Sequence, residues 1–476
     1  MNTNVSPATA SHSTSRLFPY AVPLLLTLGM VVRLWFVWVG AMLYYKSSSP
    51  FINDDTASYT DSFINLWHRG LYSFNLLNPE AAFGRLPGYP FFWGAHYLLF
   101  GKQYVFQAVA FSQCLLDTLA IYLVYAAAKA LSHDVRAAWI SGLFYALYPF
   151  ILVWMPVSST EAFATFLTIA VFWWLATRPV DKRNALVAGL LVGLSLIVRE
   201  YLGILLVPVF FWLYTAKGFG RQFVGLSFVA LLGFTALYIG WPVRNYVFQH
   251  RFLLLKPPTA GYERYTEDVN SARKWIYGWD PDANAYLDGI AGITVLPEFP
   301  ADVFGTYAET ARAQALIQMA RQCGTGFYIW RTNQHYSQAS NCNAELRAGF
   351  TALDSSYQQR HPFRYWTRVP LLNLKKAFFK NQLMQGGSKL IGMLFLYRSI
   401  MLIVCLVGAF LLRRHRSVWP LLFFFAFMYL FICVGLRQLE MRYLIQSDAA
   451  LLILAGVPFG WLLNRLEHLA PTQSKR

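Results

Sequence analysis

The chain has 476 residues, of which 56% are hydrophobic and only 13% are charged, and its formal net charge is +17. The charged fraction is about half of that in a typical soluble protein, which excludes an ordinary soluble domain. The lysines and arginines flank apolar segments instead of covering one soluble face. The positive charge therefore indicates orientation in a membrane and argues against nucleic acid as a partner.

Ten apolar segments predict an all-α polytopic membrane protein, because about 20 apolar residues cross a bilayer as a helix. In chain order they are 18–44, 103–131, 137–155, 160–177, 184–198, 201–216, 222–241, 388–411, 418–436 and 444–463. Two of them are short for this role. The polar stretch before the first one has no cleavage site of a signal peptide, so we expect this helix to be retained.

Basic loops such as RPVDKR and RRHRS are predicted to face the cytoplasm. The orientation then divides the chain into an N-terminal membrane region (1–241), a periplasmic loop domain (242–387) and a C-terminal membrane region (388–476). The first outer loop, 45–102, carries the candidate catalytic residues.

The stretch 184–216 is either one tilted span or a hairpin with Arg199 and Glu200 at its tip, and the basic residues at both ends favour the hairpin. Two cysteines of the loop domain, Cys323 and Cys342, are candidates for a disulfide if that domain lies outside the cytoplasm.

Ionisable residues inside membrane spans are candidates for function, because a charge in lipid is costly. Arg33, Asp117, Arg398 and Asp448 are such residues, and the sequence identifies no partner for Asp117. Asp117 lies nearer the middle of its span, whereas the other three, together with the charged residues of the outer loops, concentrate toward the outer face. A transporter needs polar groups that are reachable from both faces, so this distribution favours an enzyme that works at the outer surface.

Two adjacent acids, Asp54 and Asp55, follow the first span in the stretch NDDTASY. A carboxylate in a partly desolvated cavity has a raised pKa, and a neighbouring carboxylate raises it further, which suits a general base. The same residues suit the N-cap of a helix, so capping and catalysis both remain open. A metal site here is a weaker alternative, because no histidine or further acid stands at ligand spacing nearby.

Arg85, in GRLPGYPFF, is a candidate cation for a phosphate, and binding of a lipid headgroup is the alternative. The chain has no glycine-rich loop of the kinds that cradle a nucleotide. An enzyme at the outer face would therefore use a donor that is already attached to lipid, such as a polyprenyl-phosphate sugar. A fixed arginine would stabilise the charge that grows on the departing phosphate.

The pattern Asp55-x-x-x-Tyr59, followed by RLPGYPFF, WPVRNYVF and RQLEMRYLI, resembles the GT-C class of membrane glycosyltransferases. The likeness is strongest to the branch that holds protein O-mannosyltransferases and bacterial lipid A aminoarabinose transferases. The resemblance implies an inverting transfer in which Asp55, or its neighbour Asp54, is the base and Arg85 contacts the carrier phosphate. The further residues assigned to substrate binding are Tyr59, Arg199, Glu200, Arg244, Arg442 and Tyr443.

The sequence thus predicts a transferase of the bacterial inner membrane that moves a sugar from a polyprenyl-phosphate carrier to an acceptor hydroxyl on the periplasmic side. The acceptor is a glycan, a lipid or a protein, and a divalent metal is an open requirement. A flippase or exporter of lipid-linked sugar is the alternative, and it predicts a second polar site in the inner leaflet and a repeat of spans. A structural subunit of a glycan assembly complex is a third interpretation, which leaves the acids and arginines unexplained.

Overall fold

The computed structural model describes residues 18–257, 259–336, 341–379, 389–437 and 439–469. These residues form helices and connecting segments without a β-strand, which confirms the predicted all-α class. Eight helices among them are long and apolar enough to cross a membrane. They are Tyr20–Tyr45, Gly88–Ser132, Thr160–Thr177, Glu200–Lys217, Arg221–Tyr238, Gly392–Leu411, Val418–Leu436 and Ile445–Glu467.

Two of the ten predicted spans do not form a helix of the 18 or more residues that the eight spanning helices have. The segment 184–198 lies in the helix Lys182–Val198, which has 17 residues. The segment 137–155 divides into Val135–Ala146 and Pro149–Leu152. Tyr148 stands between the two parts in an extended conformation, as expected for a residue that precedes proline.

The helices of the N-terminal region begin and end as follows: Phe18–Trp35, Phe36–Gly40 (π), Ala41–Tyr45, Thr56–Arg69, Pro79–Phe83 (3₁₀), Gly88–Ser132, Val135–Ala146, Pro149–Leu152, Thr160–Thr177, Lys182–Val198, Glu200–Leu205 (3₁₀), Leu206–Lys217, Arg221–Tyr238 and Gly240–Gln249. The long helix Gly88–Ser132 is interrupted at Gly101, whose φ is +69°. Its first part belongs to the predicted outer loop 45–102, and its second part is the predicted span 103–131. The first loop is therefore largely helical.

The helices of the next segment are Glu263–Tyr265 (3₁₀), Glu267–Ile276, Asn284–Ala291, Tyr307–Cys323, Thr325–Thr332, Asn343–Arg360, Arg364–Arg368 (π) and Val369–Phe379. Buried residues between Val269 and Tyr365 form a core of their own, separate from that of the membrane helices. Cys323 and Cys342 are joined by a disulfide, with their Cα atoms 5.5 Å apart. From here on, the described residues from 250 to 379 are called the loop domain.

The C-terminal region contains Lys389–Leu411, Val418–Leu430, Phe431–Leu436 (π), Met441–Tyr443 (3₁₀), Ile445–Leu451, Leu452–Leu454 (3₁₀) and Val457–Leu469. The last helix of the loop domain, Val369–Phe379, packs against the helices of this C-terminal region. Asn373 donates a hydrogen bond to the carbonyl of Cys433 at 3.2 Å, and Ser399 donates one to the carbonyl of Phe378 at 2.6 Å. The loop domain is thereby tied to the membrane region on its C-terminal side.

The four ionisable residues that the sequence analysis placed inside spans form two buried ion pairs. Arg33 donates through Nε to Asp117 at 2.5 Å, and Tyr145 donates to the other carboxylate oxygen at 2.6 Å. Arg398 donates through Nε to Asp448 at 2.8 Å. Because each charge has its counter-charge, both pairs hold helices together. The partner of Asp117 that the sequence did not identify is Arg33.

Candidate active site

The side chain of Asn53 caps the helix Thr56–Arg69. Its Oδ1 accepts hydrogen bonds from the backbone N–H groups of Asp55, at 3.1 Å, and Thr56, at 3.0 Å. Asp55 occupies the N-cap position, but its own side chain makes no capping bond. The carboxylate of Asp55 is therefore available for other contacts, whereas Asp54 is exposed and forms no ion pair with any described residue.

The carboxylate of Asp55 lies between two arginines. Arg85 donates through Nη2 to Oδ1 at 2.7 Å, and Arg442 donates through Nη1 to Oδ2. The hydroxyl of Tyr262 donates to Oδ1 at 2.9 Å. The side chains of Asp55 and Arg442 are 21% and 22% exposed, so the cluster is partly desolvated and still reachable from solvent.

Arg85 is held from several sides. Its Nε donates to the hydroxyl of Ser58 at 2.7 Å, and its guanidinium carbon lies 4.3 Å from the centroid of the Tyr59 ring. Its Nη2 also contacts the hydroxyl of Tyr262. Ser58 and Tyr59 lie one turn after Asp55 on the same helix, so the spacing Asp55-x-x-x-Tyr59 places a carboxylate and an aromatic face on one arginine.

A close backbone contact brings Tyr262 to Arg85. A Cβ atom added at Gly84 would lie 2.5 Å from the carbonyl oxygen of Ala260, and one added at Gly261 would lie 2.8 Å from the Cα of Gly84. Gly261 also has a φ of +76°, which a residue with a side chain rarely adopts. Each glycine directly precedes a residue of the site, so this contact determines the distance between Arg85 and Tyr262.

The charges around Asp55 determine the sign of its pKa shift. Burial acts to raise the pKa, but the guanidinium groups of Arg85 and Arg442 outweigh it and hold the pKa of Asp55 below its ordinary value. The raised pKa expected from the sequence is therefore wrong for this arrangement. Burial raises the pKa of Tyr262 to about 12, so its hydroxyl stays protonated as a donor.

A second ion pair adjoins this cluster. Arg199 pairs through Nη1 with Glu161 at 2.8 Å, and the ring of Tyr443 lies 5.3 Å from the guanidinium carbons of both Arg199 and Arg442. Glu200 pairs instead with Lys256. The two neighbours Arg199 and Glu200, which the sequence grouped as one tip, thus serve different partners.

Arg244 lies apart from Asp55. It donates to the backbone carbonyls of Tyr72 and Ala82, both at 2.8 Å. It lines an apolar cavity of about 390 Å³ together with Leu66, Gly70, Leu71, Tyr72, Pro87, Phe91, Gly240, Trp241, Phe248 and Gln249. The hydroxyl of Tyr72 donates to the carbonyl of Arg85 at 3.0 Å, which connects this cavity to the Asp55 cluster.

The comparisons with known proteins agree with this architecture. A family model described as dolichyl-phosphate-mannose-protein mannosyltransferase matches residues 84–245, which include Arg85 and Arg244. The oligosaccharyltransferase AglB of Archaeoglobus fulgidus, solved with an inhibitory peptide and a dolichol-phosphate, is similar in structure with a TM-score of 0.52 at 13% sequence identity. The chain has the fold of the GT-C glycosyltransferases. This confirms the type of fold predicted from the sequence.

The AglB alignment covers 97% of this chain and 53% of AglB, so the chain spans about half the length of that GT-C protein. The Archaeoglobus fulgidus oligosaccharyltransferase in complex with Zn and sulfate has 12% identity and a TM-score of 0.51, with 94% and 50% of the two chains covered. ArnT from Cupriavidus metallidurans bound to undecaprenyl phosphate has 14% identity and a TM-score of 0.37, with 93% and 77% covered. No curated protein matches the chain.

The side chains around Asp55 do not fit a metal ion as they are arranged. Both carboxylate oxygens of Asp55 accept hydrogen bonds from arginines, and Glu161 and Glu440 are each paired with an arginine as well. Within the described ranges, no three His, Cys, Asp or Glu side chains are placed to hold a metal. We therefore derive no chemical step through a metal.

Tyr262 and Glu161 are site residues that the sequence interpretation missed. Tyr262 lies 207 positions after Asp55, and no spacing links the two in the sequence. Glu161 is 2% exposed and begins a membrane helix. An acid at the first turn of an apolar span was a usable signal, since such a residue is expected to have a buried partner.

Proposed function

We propose that this protein transfers a sugar from a polyprenyl-phosphate carrier to an acceptor hydroxyl, and that Asp55 is the general base. The observation that supports this best is the carboxylate of Asp55 held between Arg85 and Arg442, with a hydrogen bond from Tyr262 as well. The dolichyl-phosphate-mannose donor in the name of the matching family and the dolichol-phosphate in the AglB structure belong to the same class of carrier. We place the site on the periplasmic face of a bacterial inner membrane.

The arginines explain how the base is activated. A phosphate is a strong partner for a guanidinium fork. When the carrier phosphate binds, Arg85 and Arg442 turn part of their hydrogen bonding from Asp55 to the phosphate oxygens. Because the charges that lower its pKa then act on the phosphate, the pKa of Asp55 rises, and the carboxylate becomes a better base when the donor is present.

The reaction is a single displacement. Asp55 accepts the proton of the acceptor hydroxyl while the acceptor oxygen forms a bond to the anomeric carbon. The bond between the anomeric carbon and the phosphate oxygen breaks, and the carrier phosphate leaves with the bonding electrons. Arg85 and Arg442 stabilise the negative charge that grows on this phosphate, which lowers the barrier more than it stabilises the bound donor. Attack opposite the leaving group inverts the anomeric centre.

We assign the apolar cavity to the first isoprenoid units of the carrier. Its lining is mostly aromatic and aliphatic, and Trp241 and Phe248 form part of its wall. Tyr72 links the cavity to the backbone of Arg85, so a chain in the cavity would end near the proposed phosphate site. Arg244 keeps its guanidinium on backbone carbonyls and shapes this wall, so we assign it a structural role in donor binding.

The test compares Asp55→Asn with the matched variant Asp54→Asn, which changes an exposed acid one position away. Cells that lack the protein are complemented with the wild type or either variant, and their envelope glycans and lipids are analysed by mass spectrometry. We expect the wild type and Asp54→Asn to restore the missing sugar. Asp55→Asn should retain binding of the lipid donor and lose about 10²–10⁴-fold in turnover.

Restoration by Asp55→Asn would contradict the assignment of the base and favour the flippase alternative, which needs no proton acceptor. A topology reporter fused after residue 55 tests the orientation separately. A reporter signal from the cytoplasmic side would contradict a periplasmic site.

A further inference from the structure

Two arginines of the loop domain lie against the same two aromatic rings. The guanidinium carbon of Arg264 is 5.2 Å from the centroid of Tyr265 and 5.8 Å from that of Trp330. The corresponding distances for Arg273 are 4.4 Å and 5.8 Å. The Nε atom of Arg264 is buried and has no hydrogen-bond partner among the described residues. Two like charges are therefore concentrated on one aromatic surface.

Neither arginine has a carboxylate partner. The described ranges contain all 23 Asp and Glu residues of the chain, and none of them forms an ion pair with Arg264 or Arg273. Other arginines of the same domain are paired, with Arg360 on Glu309 at 2.9 Å as an example. Like charges that share one site repel each other, and an anion bound between them would remove this repulsion.

An aromatic path leads from this pair to the proposed base. The rings of Tyr262 and Tyr265 are 5.8 Å apart, and those of Tyr265 and Trp330 are 6.0 Å apart. At the end of this path that lies nearest the proposed base, the hydroxyl of Tyr262 donates a hydrogen bond to Asp55. Tyr265 and Trp330 are only partly buried, so their surface is open to a ligand. Arg264 also lies 5.4 Å from the centroid of Tyr262, so a molecule that lies along this path would have one end at Asp55, pass Arg264 and reach Arg273 at its other end.

We propose that Arg264, Arg273, Tyr265 and Trp330 form a subsite for the part of the acceptor that does not react, and that this part is an anionic carbohydrate. Aromatic side chains with a few charged groups are the usual lining of a binding site. The planar guanidinium fork matches a carboxylate or a phosphate, so either group on the sugar would suit the subsite. The inference rests on the proposed function for the identity of the ligand as acceptor, but the binding itself requires neither the donor nor Asp55.

The experiment measures binding of three trisaccharides to the full-length protein in lipid nanodiscs by calorimetry. Trigalacturonate carries carboxylates, maltotriose phosphate carries a phosphate, and maltotriose is neutral. We expect at least one anionic trisaccharide to bind about tenfold or more tightly than maltotriose, a ratio that corresponds to about 1.4 kcal/mol. The two anionic probes distinguish a carboxylate ligand from a phosphate ligand.

Two double variants and one matched control localise the effect. The double variant Arg264→Gln with Arg273→Gln should lose the preference for anionic sugars. The double variant Arg264→Lys with Arg273→Lys keeps both positive charges and should keep part of the preference. Binding by the lysine variant would also show that the loop domain still folds when both arginines are replaced. The control is Arg312→Gln, which removes one exposed arginine of the helix Tyr307–Cys323 and should bind as the wild type does.

Equal affinity of the wild type for all three sugars, or no measurable binding of the anionic ones, would overturn the proposal. An unchanged preference in the double glutamine variant, or an equal loss in Arg312→Gln, would overturn it as well. These outcomes are independent of Asp55. Failure of the proposed function would appear as turnover by Asp55→Asn, whereas failure of the subsite appears only in binding.

Discussion

Replacement of Arg442 by glutamine should move the decline of kcat/KM at acid pH to a higher pH. Arg442 and Arg85 each donate to one carboxylate oxygen of Asp55, and together they outweigh the burial that acts to raise the pKa of this group. The substitution removes one of the two cations and leaves the burial in place. The pKa of Asp55 in the free enzyme must therefore rise.

The size of the change follows from the contact. An opposite charge within about 4–6 Å lowers the pKa of a carboxyl by about 1–3. The acid limb of kcat/KM, which reports the free enzyme, should move up by about one to three pH units. Each pH unit corresponds to about 1.4 kcal/mol in the free energy of protonation. The sign is fixed because Asp55 must be deprotonated to accept a proton, so activity is lost as the pH falls through its pKa.

The assay measures kcat/KM for a polyprenyl-phosphate sugar in proteoliposomes from about pH 3 to 8.5, because the acid limb of the variant is expected in the lower part of this range. The acceptor is the envelope fraction identified by the complementation experiment. We expect a flat acid side for the wild type and a decline at the acid end for Arg442→Gln. Since Arg442 is also proposed to bind the phosphate, the maximal kcat/KM will fall as well. Only the pH at which kcat/KM declines tests the predicted rise in the pKa of Asp55.

Two controls separate charge from damage to the fold. Arg442→Lys keeps the cation and should retain the flat profile. Arg347→Gln removes an exposed arginine that pairs with Glu267 at 2.8 Å in the loop domain, and it should change neither height nor shape. An acid limb at the same pH in the wild type and Arg442→Gln would refute the assigned electrostatics of Asp55.

Three further predictions concern the scaffold of the site. Gly261→Ala places a Cβ 2.8 Å from the Cα of the facing glycine at positive φ, and it should lower turnover about 10²-fold, while Gly225→Ala, with open space around it, should have no effect. Asp117→Asn leaves a buried arginine unpaired, and it should reduce the free energy of unfolding by about 3–5 kcal/mol, read as a lower melting temperature, without changing turnover per folded molecule. Replacement of Cys323 and Cys342 by serine opens a loop with a sequence separation of 19, and it should cost about 3 kcal/mol, with a reductant lowering the melting temperature of the wild type alone. Full turnover in the first variant, unchanged melting of the second, or equal sensitivity of the third to reductant would contradict these expectations.

Part of the candidate site was predictable from short-range spacing. Asp55 and Tyr59 are one helical turn apart, and the helix that contains Tyr59 places both against Arg85. Arg442 was assigned through the resemblance, and it does contact Asp55. Tyr262 was not predictable in this way, because its place at Asp55 depends on the backbone contact between two glycines that are far apart in the chain.

The sequence by itself determined that this is an all-helical membrane protein, because apolar length is a local property and a helix satisfies its own backbone in lipid. Only the tertiary structure decided that Asp55 faces the arginines while Asp54 stays exposed, that Arg199 and Glu200 have different partners, and that the pKa of Asp55 is lowered. The reason is that electrostatic energy depends on the distance between charges, and here the charges that matter approach from segments up to 387 positions apart.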